Sequence, residues 1–218
     1  MTVIVGCRSA NGTIVFGADG QLTAADETLE GTKLSFFPFQ NGKALIGVAA
    51  RDVNLGYMRK FDLFCAMRAI GSGQDPVEVI QKRMAKASEN PENNVQILCA
   101  IASAAMESPR LLGISDTEAI DLGVSRLCCI GGGDEAAHSF LSQTIDRLQS
   151  LREVQIAVCA SVWLAKQTDD LCGGHTDIWW LNSDLSEGRL ESERIRCWED
   201  HFNTSSPTAV TGWMEGVP

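Results

Sequence analysis

Strand-like and helix-like stretches come in blocks along this chain rather than in alternation, and that order limits the folds open to it more than any single motif. Residues 3–8 and 13–18 are rich in β-branched side chains and flank Ser9-Ala10-Asn11-Gly12, and an Asn-Gly step between such runs signals a hairpin. A second hairpin is expected where Lys33–Phe39 and Ala44–Ala49 flank Gln40-Asn41-Gly42-Lys43. From Asp52 to about Ile70 the apolar residues Val53, Tyr57, Met58, Phe61, Phe64, Cys65 and Met67 recur at three- and four-residue steps, the helical period. Asp75-Pro76 then opens a second helix with a cap and a proline in its first turn, with Val77, Ile80, Met84 and Ala87 as its stripe. Strands are expected at 95–103, 110–114, 119–124 and 126–130. Two more helices follow, to about Gln149 and from Arg152 to Lys166, and then a strand at His175–Leu181. Strands, two helices, strands, two helices and strands again predict an α+β fold in which two antiparallel sheets pack on each other and helices cover their outer faces.

The 218 residues, 44% of them hydrophobic, suit one domain with a full core over 1–218, trailed from about 195 by an irregular polar extension containing Trp198, Phe202 and Trp213. A net charge of -10 argues against nucleic acid or an anionic membrane as partner. The start of the chain lacks the pattern of a secretion signal, and no apolar run reaches the roughly 18 residues of a membrane span, so the protein reads as cytoplasmic. Eight cysteines without a CxxC pair read as small buried hydrophobes rather than zinc ligands or a disulfide framework. His138, His175 and His201 lack metal-ligand spacing, so no metal is expected. Neither a GxGxxG nor a Walker-type loop is present, and no cofactor is expected.

Thr2 carries the most suggestive chemistry. Removal of Met1 would place a hydroxyl and a free α-amine on one residue at the start of a strand, joining a nucleophile to its own base. An α-amine titrates near 7.7–8.0 when unperturbed, close to ideal for a base at neutral pH. The first hairpin would bring the end of its second strand, at Asp19, back beside Thr2, and Lys33 opens the next hairpin. These three would form a cluster in which Lys33 stabilises the threonine oxygen and Asp19 balances the ammonium charges. The blander reading, Asp19-Gly20 as a plain turn and Lys33 as a solvated edge residue, fits the same letters.

Taken together, Thr2-Val3-Ile4-Val5-Gly6, the run Gly12–Gln21 ending in Asp19-Gly20-Gln21, and Lys33 resemble the proteasome β-subunit family of N-terminal-nucleophile hydrolases, and most of all its bacterial HslV-type relatives. Gly47-Val48-Ala49-Ala50-Arg51-Asp52 is similar to the family's oxyanion loop. Ile130-Gly131-Gly132-Gly133 is similar to its Gly-Ser-Gly-Gly turn, and Asp169-Asp170-Leu171-Cys172-Gly173-Gly174 to its Asp-x-x-Ser-Gly-Gly segment. The resemblance implies a four-layer αββα sandwich and a threonine endopeptidase working inside a homo-oligomeric double ring on peptides or unfolded proteins, with room for an ATPase unfoldase as partner. It assigns Thr2, Asp19, Lys33, Asp169 and Cys172 to catalysis, the Ala50 N–H to the oxyanion hole, and Gln21 and Val48 to a pocket of medium, apolar character.

Several positions depart from the family pattern. Glycine stands at 132 and cysteine at 172 where the family has serines, alanine stands at 50 where it has glycine, and the spacing around Lys33 differs by a couple of residues. A thiol is a poorer hydrogen-bonding partner than a hydroxyl. The segment after about Arg194 has no counterpart in the HslV-type relatives. These departures leave two further readings open, a ring subunit without catalysis and an N-terminal-nucleophile amidase acting on a small amide.

Overall fold

The computed structural model describes residues 2–24, 27–84, 95–115, 118–123 and 125–205. Met1, the stretch 90–94 read as a loop, Ala87 and the tail from 206, with Trp213, lie outside the described residues.

The first sheet joins β1 (Val3–Arg8), β2 (Ile14–Asp19), β10 (Leu127–Gly131), β11 (Thr176–Leu181) and β12 (Glu187–Arg189) in the order β10-β1-β2-β11-β12. The second joins β5 (Leu34–Phe39), β6 (Gly42–Ala49), β7 (Gln96–Ser103), β8 (Arg110–Ile114) and β9 (Ala119–Asp121) in sequence order. Every pairing in both is antiparallel. A separate hairpin, β3 (Gln21–Ala24) with β4 (Glu27–Glu30), lies between them in the chain. The helices are α1 (Val53–Arg68), α2 (Pro76–Met84), α3 (Asp134–Thr144), α4 (Leu151–Thr168) and α5 (Ser192–Thr204).

Three apolar layers explain why these strands are nearly all hydrophobic. Ile4 of β1, Phe16 of β2, Leu45 of β6 and Leu98 of β7 meet between the two sheets. Their neighbours point outward: Val3, Val5 and Val15 pack on α3, α4 and α5, while Ile46, Ile97 and Cys99 pack on α1 and α2. A strand covered on both faces has no solvent side to carry polar residues, so the usual two-residue alternation disappears. The result is the expected four-layer αββα sandwich.

Three local expectations change. The second hairpin closes through Gln40-Asn41, with Phe39 opposite Gly42, and Asn41 rather than glycine takes the positive φ of 62°. In α1 the buried residues are Gly56, Leu63, Ala66 and Met67, whereas Tyr57, Met58 and Phe61 are 61%, 63% and 65% exposed. The small Gly56 and Ala66 let the backbone approach β6, which turns the bulkier stripe away from the core. The segment from Ser192 is not irregular: α5 buries Ile195, Trp198 and Phe202 against α4 and β11. Its apolar residues recur at 195, 198 and 202, spaced three and four apart, a pattern masked by the charged residues around it. Lys166 of α4 ties this helix down through Glu199 at 2.6 Å and Thr176 at 2.9 Å.

Candidate active site

Thr2, Asp19 and Lys33 come together in a buried cluster at the end of the first sheet. The β1–β2 register sets Ile4 opposite Ala18, so the start of one strand lies beside the end of the other, and Asp19 accepts a hydrogen bond from the Val3 N–H at 2.8 Å. The Thr2 hydroxyl donates to Asp19 Oδ1, and Lys33 Nζ donates to the Thr2 oxygen. Lys33 arrives from the other sheet, one residue before β5, and pairs with Asp19 at 2.8 Å. The second carboxylate oxygen of Asp19 accepts the Gly173 N–H at 3.1 Å. Burial lowers the Lys33 pKa below the ordinary lysine value, with the Asp19 carboxylate opposing that shift.

Main-chain contacts fix the strand that carries Thr2. Gly132 N–H donates to the Thr2 carbonyl at 2.7 Å. Gly131 sits at φ +101°, and a β-carbon there would overlap that same carbonyl oxygen, so only glycine fits. Cys172 is buried beside this turn, its sulfur accepting from the Gly133 N–H, and it interacts electrostatically with Asp19 and Lys33. Burial, reinforced by the two nearby aspartates Asp19 and Asp169, pushes its thiol up to about 12, so it stays protonated at neutral pH. Among the described residues Asp169 makes no hydrogen bond to Thr2, Asp19 or Lys33. Its carboxylate accepts from the Leu171 N–H at 2.8 Å and its carbonyl from Cys172 N–H at 3.0 Å, so it shapes the turn that presents Cys172 and Gly173.

A cleft opens onto Thr2 and Lys33. Gln21, Val48 and Ala50 line it, as do Leu22, Thr32, Val53, Gly56, Tyr57 and Lys60. The last six are not singled out for a pocket by the sequence, although positions 53, 56, 57 and 60 share one helical face. Lys60 adds a charge to the wall of the medium, apolar pocket expected around Val48. Among the described residues no group of three or more His, Cys, Asp and Glu side chains is placed to hold a metal ion, and no helix is long and apolar enough to cross a membrane.

No protein-family model and no curated protein matches the chain. Solved structures do match over its full length. Anbu from Hyphomicrobium sp. strain MC1 is 14% identical with a TM-score of 0.74, covering 100% of this chain and 98% of that one. Anbu (ancestral β-subunit) from Yersinia bercovieri is 14% identical with a TM-score of 0.73 and the same coverage. The Anbu complex of Pseudomonas aeruginosa, described as a helical assembly, is 14% identical with a TM-score of 0.72, covering 100% of this chain and 97% of that one. The fold is therefore that of the Anbu proteins. This corrects the HslV-type kinship expected from the Asp19-Gly20-Gln21 turn: a three-residue motif reports on one strand end, whereas the Anbu match spans the whole chain, including the C-terminal segment for which the HslV-type pattern has no place.

Proposed function

We propose that the protein is a threonine-type endopeptidase subunit of a self-compartmentalising homo-oligomer, with Thr2 as the nucleophile once the bond preceding it is cleaved. The observation that carries this reading is the buried contact of the Thr2 hydroxyl with Asp19 and Lys33 at the wall of a cleft. Buried side chains of opposite charge on a hydroxyl have little purpose in a strand end whose backbone is already satisfied, and they are what an activated oxygen nucleophile needs.

In this reaction Thr2 Oγ1 attacks a peptide carbonyl and its proton passes to the freed α-amine, directly or through water. Lys33 stabilises the oxygen as it loses the proton, and Asp19 balances the lysine charge. The Ala50 N–H serves as oxyanion donor, a contribution typically worth about 2.7–4 kcal/mol of barrier. Collapse of the tetrahedral intermediate expels the amine, which takes the proton back, and water resolves the ester on Thr2. The broad exposed surface of Tyr57, Met58 and Phe61 supports self-association, and electron microscopy distinguishes a closed double ring from a helical assembly.

The test is covalent capture. Protein with Thr2 at its N-terminus should gain one epoxyketone adduct by intact mass and hydrolyse peptides, and Thr2→Ala should lose both while assembling normally. A correctly trimmed, assembled chain that takes no adduct would instead support the second reading, a non-catalytic assembly subunit, for which Cys172 and Gly132 in place of hydroxyl-bearing residues are the favouring observation.

A further inference from the structure

Lys60 is the feature of the cleft that peptide hydrolysis in general does not require. It lies on the face of α1 that also carries Val53, Gly56 and Tyr57, and these four residues form one wall of the same cleft as Thr2. The other half-buried or buried lysines near the site each have a carboxylate: Lys33 has Asp19 at 2.8 Å and Lys166 has Glu199 at 2.6 Å. Among the described residues no carboxylate pairs with Lys60. Its ammonium instead rests 5.8 Å from the centroid of the Phe64 ring, which is itself stacked on Phe37 at 4.3 Å. Among the described residues that ring is the partner shown for the ammonium, and no anion is paired with it. Burial holds its pKa below the ordinary lysine value.

We infer that the cleft selects a substrate side chain ending in a carboxylate, with Lys60 as the specificity-determining residue that receives it. The inference rests on the peptidase reading for its chemistry but not for its binding test. Leu22, Val48, Ala50, Val53 and Tyr57 give the cleft a mainly apolar sleeve, which suits the methylene stem of such a side chain. A partly desolvated, unpartnered cation gains more from an incoming anion than a solvated one does. Basic side chains are disfavoured by Lys60. The chain's net charge of -10 does not cancel this selection, because its field is screened beyond about 8 Å at physiological salt, whereas the Lys60 contact is local.

The experiment measures binding apart from catalysis. Full-length protein carrying Thr2→Ala is titrated calorimetrically with N-acetyl-Ala-Ala-Glu-amide and with its glutamine twin, which has the same shape and no charge. The expected result is tighter binding of the glutamate peptide by about tenfold, in line with a charge-assisted hydrogen bond. Lys60→Met should bring the ratio to about one, and Lys60→Arg should keep it above one. Equal affinity for the two peptides, no binding of either, or a preference that survives Lys60→Met overturns the inference. Adduct formation at Thr2 is scored separately. A chain that takes the epoxyketone but shows no glutamate preference loses this inference alone, whereas one that prefers glutamate but takes no adduct keeps the acidic pocket and loses the peptidase reading.

Discussion

Replacing Asp19 by asparagine removes one charge from the cluster with almost no change of shape, and the structure sets both the size of the effect and its pH dependence. Asp19 and Lys33 are buried, and the carboxylate accepts from Thr2, from Val3 N–H at 2.8 Å, from Lys33 at 2.8 Å and from Gly173 N–H at 3.1 Å. An asparagine oxygen can keep the first three, but its NH2 then faces the Gly173 N–H, donor against donor. Removing one partner of a buried ion pair costs about 3–5 kcal/mol. Lys33 has an escape, which is to fold without its proton. Against an unfolded-state value of 10.5, that escape costs at most about 4.8 kcal/mol at pH 7, three and a half pH units at about 1.36 kcal/mol each. A loss of about 3–4 kcal/mol at pH 7 is therefore expected.

The sign of the pH dependence follows from proton counts. In the variant the folded state holds one proton fewer than the unfolded state, so its stability rises with pH. In the wild type Lys33 keeps its proton in both states until the pH reaches its own lowered folded pKa. The deficit of Asp19→Asn should narrow above pH 7 by up to about 1.36 kcal/mol per pH unit. Urea unfolding followed by tryptophan fluorescence at pH 7, 8 and 9 measures it, and contributions from the cysteines cancel between the two proteins. A deficit below about 1 kcal/mol, or one that stays flat across that range, refutes the account of the buried pair. Lys33→Met should cost less, about 1–3 kcal/mol, since the carboxylate keeps three donors.

The backbone and core make their own demands. Gly131→Ala forces a β-carbon onto the Thr2 carbonyl at φ +101°, and should destabilise by more than about 2 kcal/mol in chemical unfolding; a wild-type midpoint would show that the turn relaxes freely. Phe202→Ala empties a fully buried site under α5 and should cost about 3–5 kcal/mol, a drop in Tm of roughly 6–20 °C by calorimetry. Cys65 and Cys197 are the exposed thiols, whereas Cys7 and Cys172 are pushed up to about 12 by burial. Iodoacetamide at pH 8 should therefore add two groups to the native protein by intact mass and eight in urea, and native alkylation of Cys172 at the rate of Cys65 would contradict its placement.

Strand blocks, both Asn-Gly hairpins and the first four helices were legible because their signals are local. Two-sided burial even sharpened them, since runs such as 97–102 leave no room for a surface strand. Four features were not legible. The β3–β4 hairpin and β12 are short and carry few β-branched residues. Helix α5 spreads three apolar anchors among arginines and glutamates, so its mean composition reads as solvent. The core face of α1 was misjudged because apolar period alone cannot tell which stripe packs: Tyr57, Met58 and Phe61 match the period as well as Leu63, Ala66 and Met67 do, and the choice falls to how closely Gly56 lets the helix approach β6.

At the site, the hairpin register made the meeting of Thr2 with Asp19 foreseeable, and Lys33 followed from where the next strand begins. The meaning of Gly132 was harder to see, because a missing serine looks like a lost interaction. The structure uses this position through its main chain: the Gly132 N–H holds the Thr2 carbonyl at 2.7 Å, and the Gly173 N–H holds Asp19 at 3.1 Å. Any residue except proline supplies an N–H, but the φ at Gly131 and the tight packing of Gly133 against Ala165 and Cys172 demand glycine around it. Positioning by backbone amides is insensitive to which side chains surround the nucleophile. In the proposed reaction the burden of activation then rests on Asp19 and Lys33.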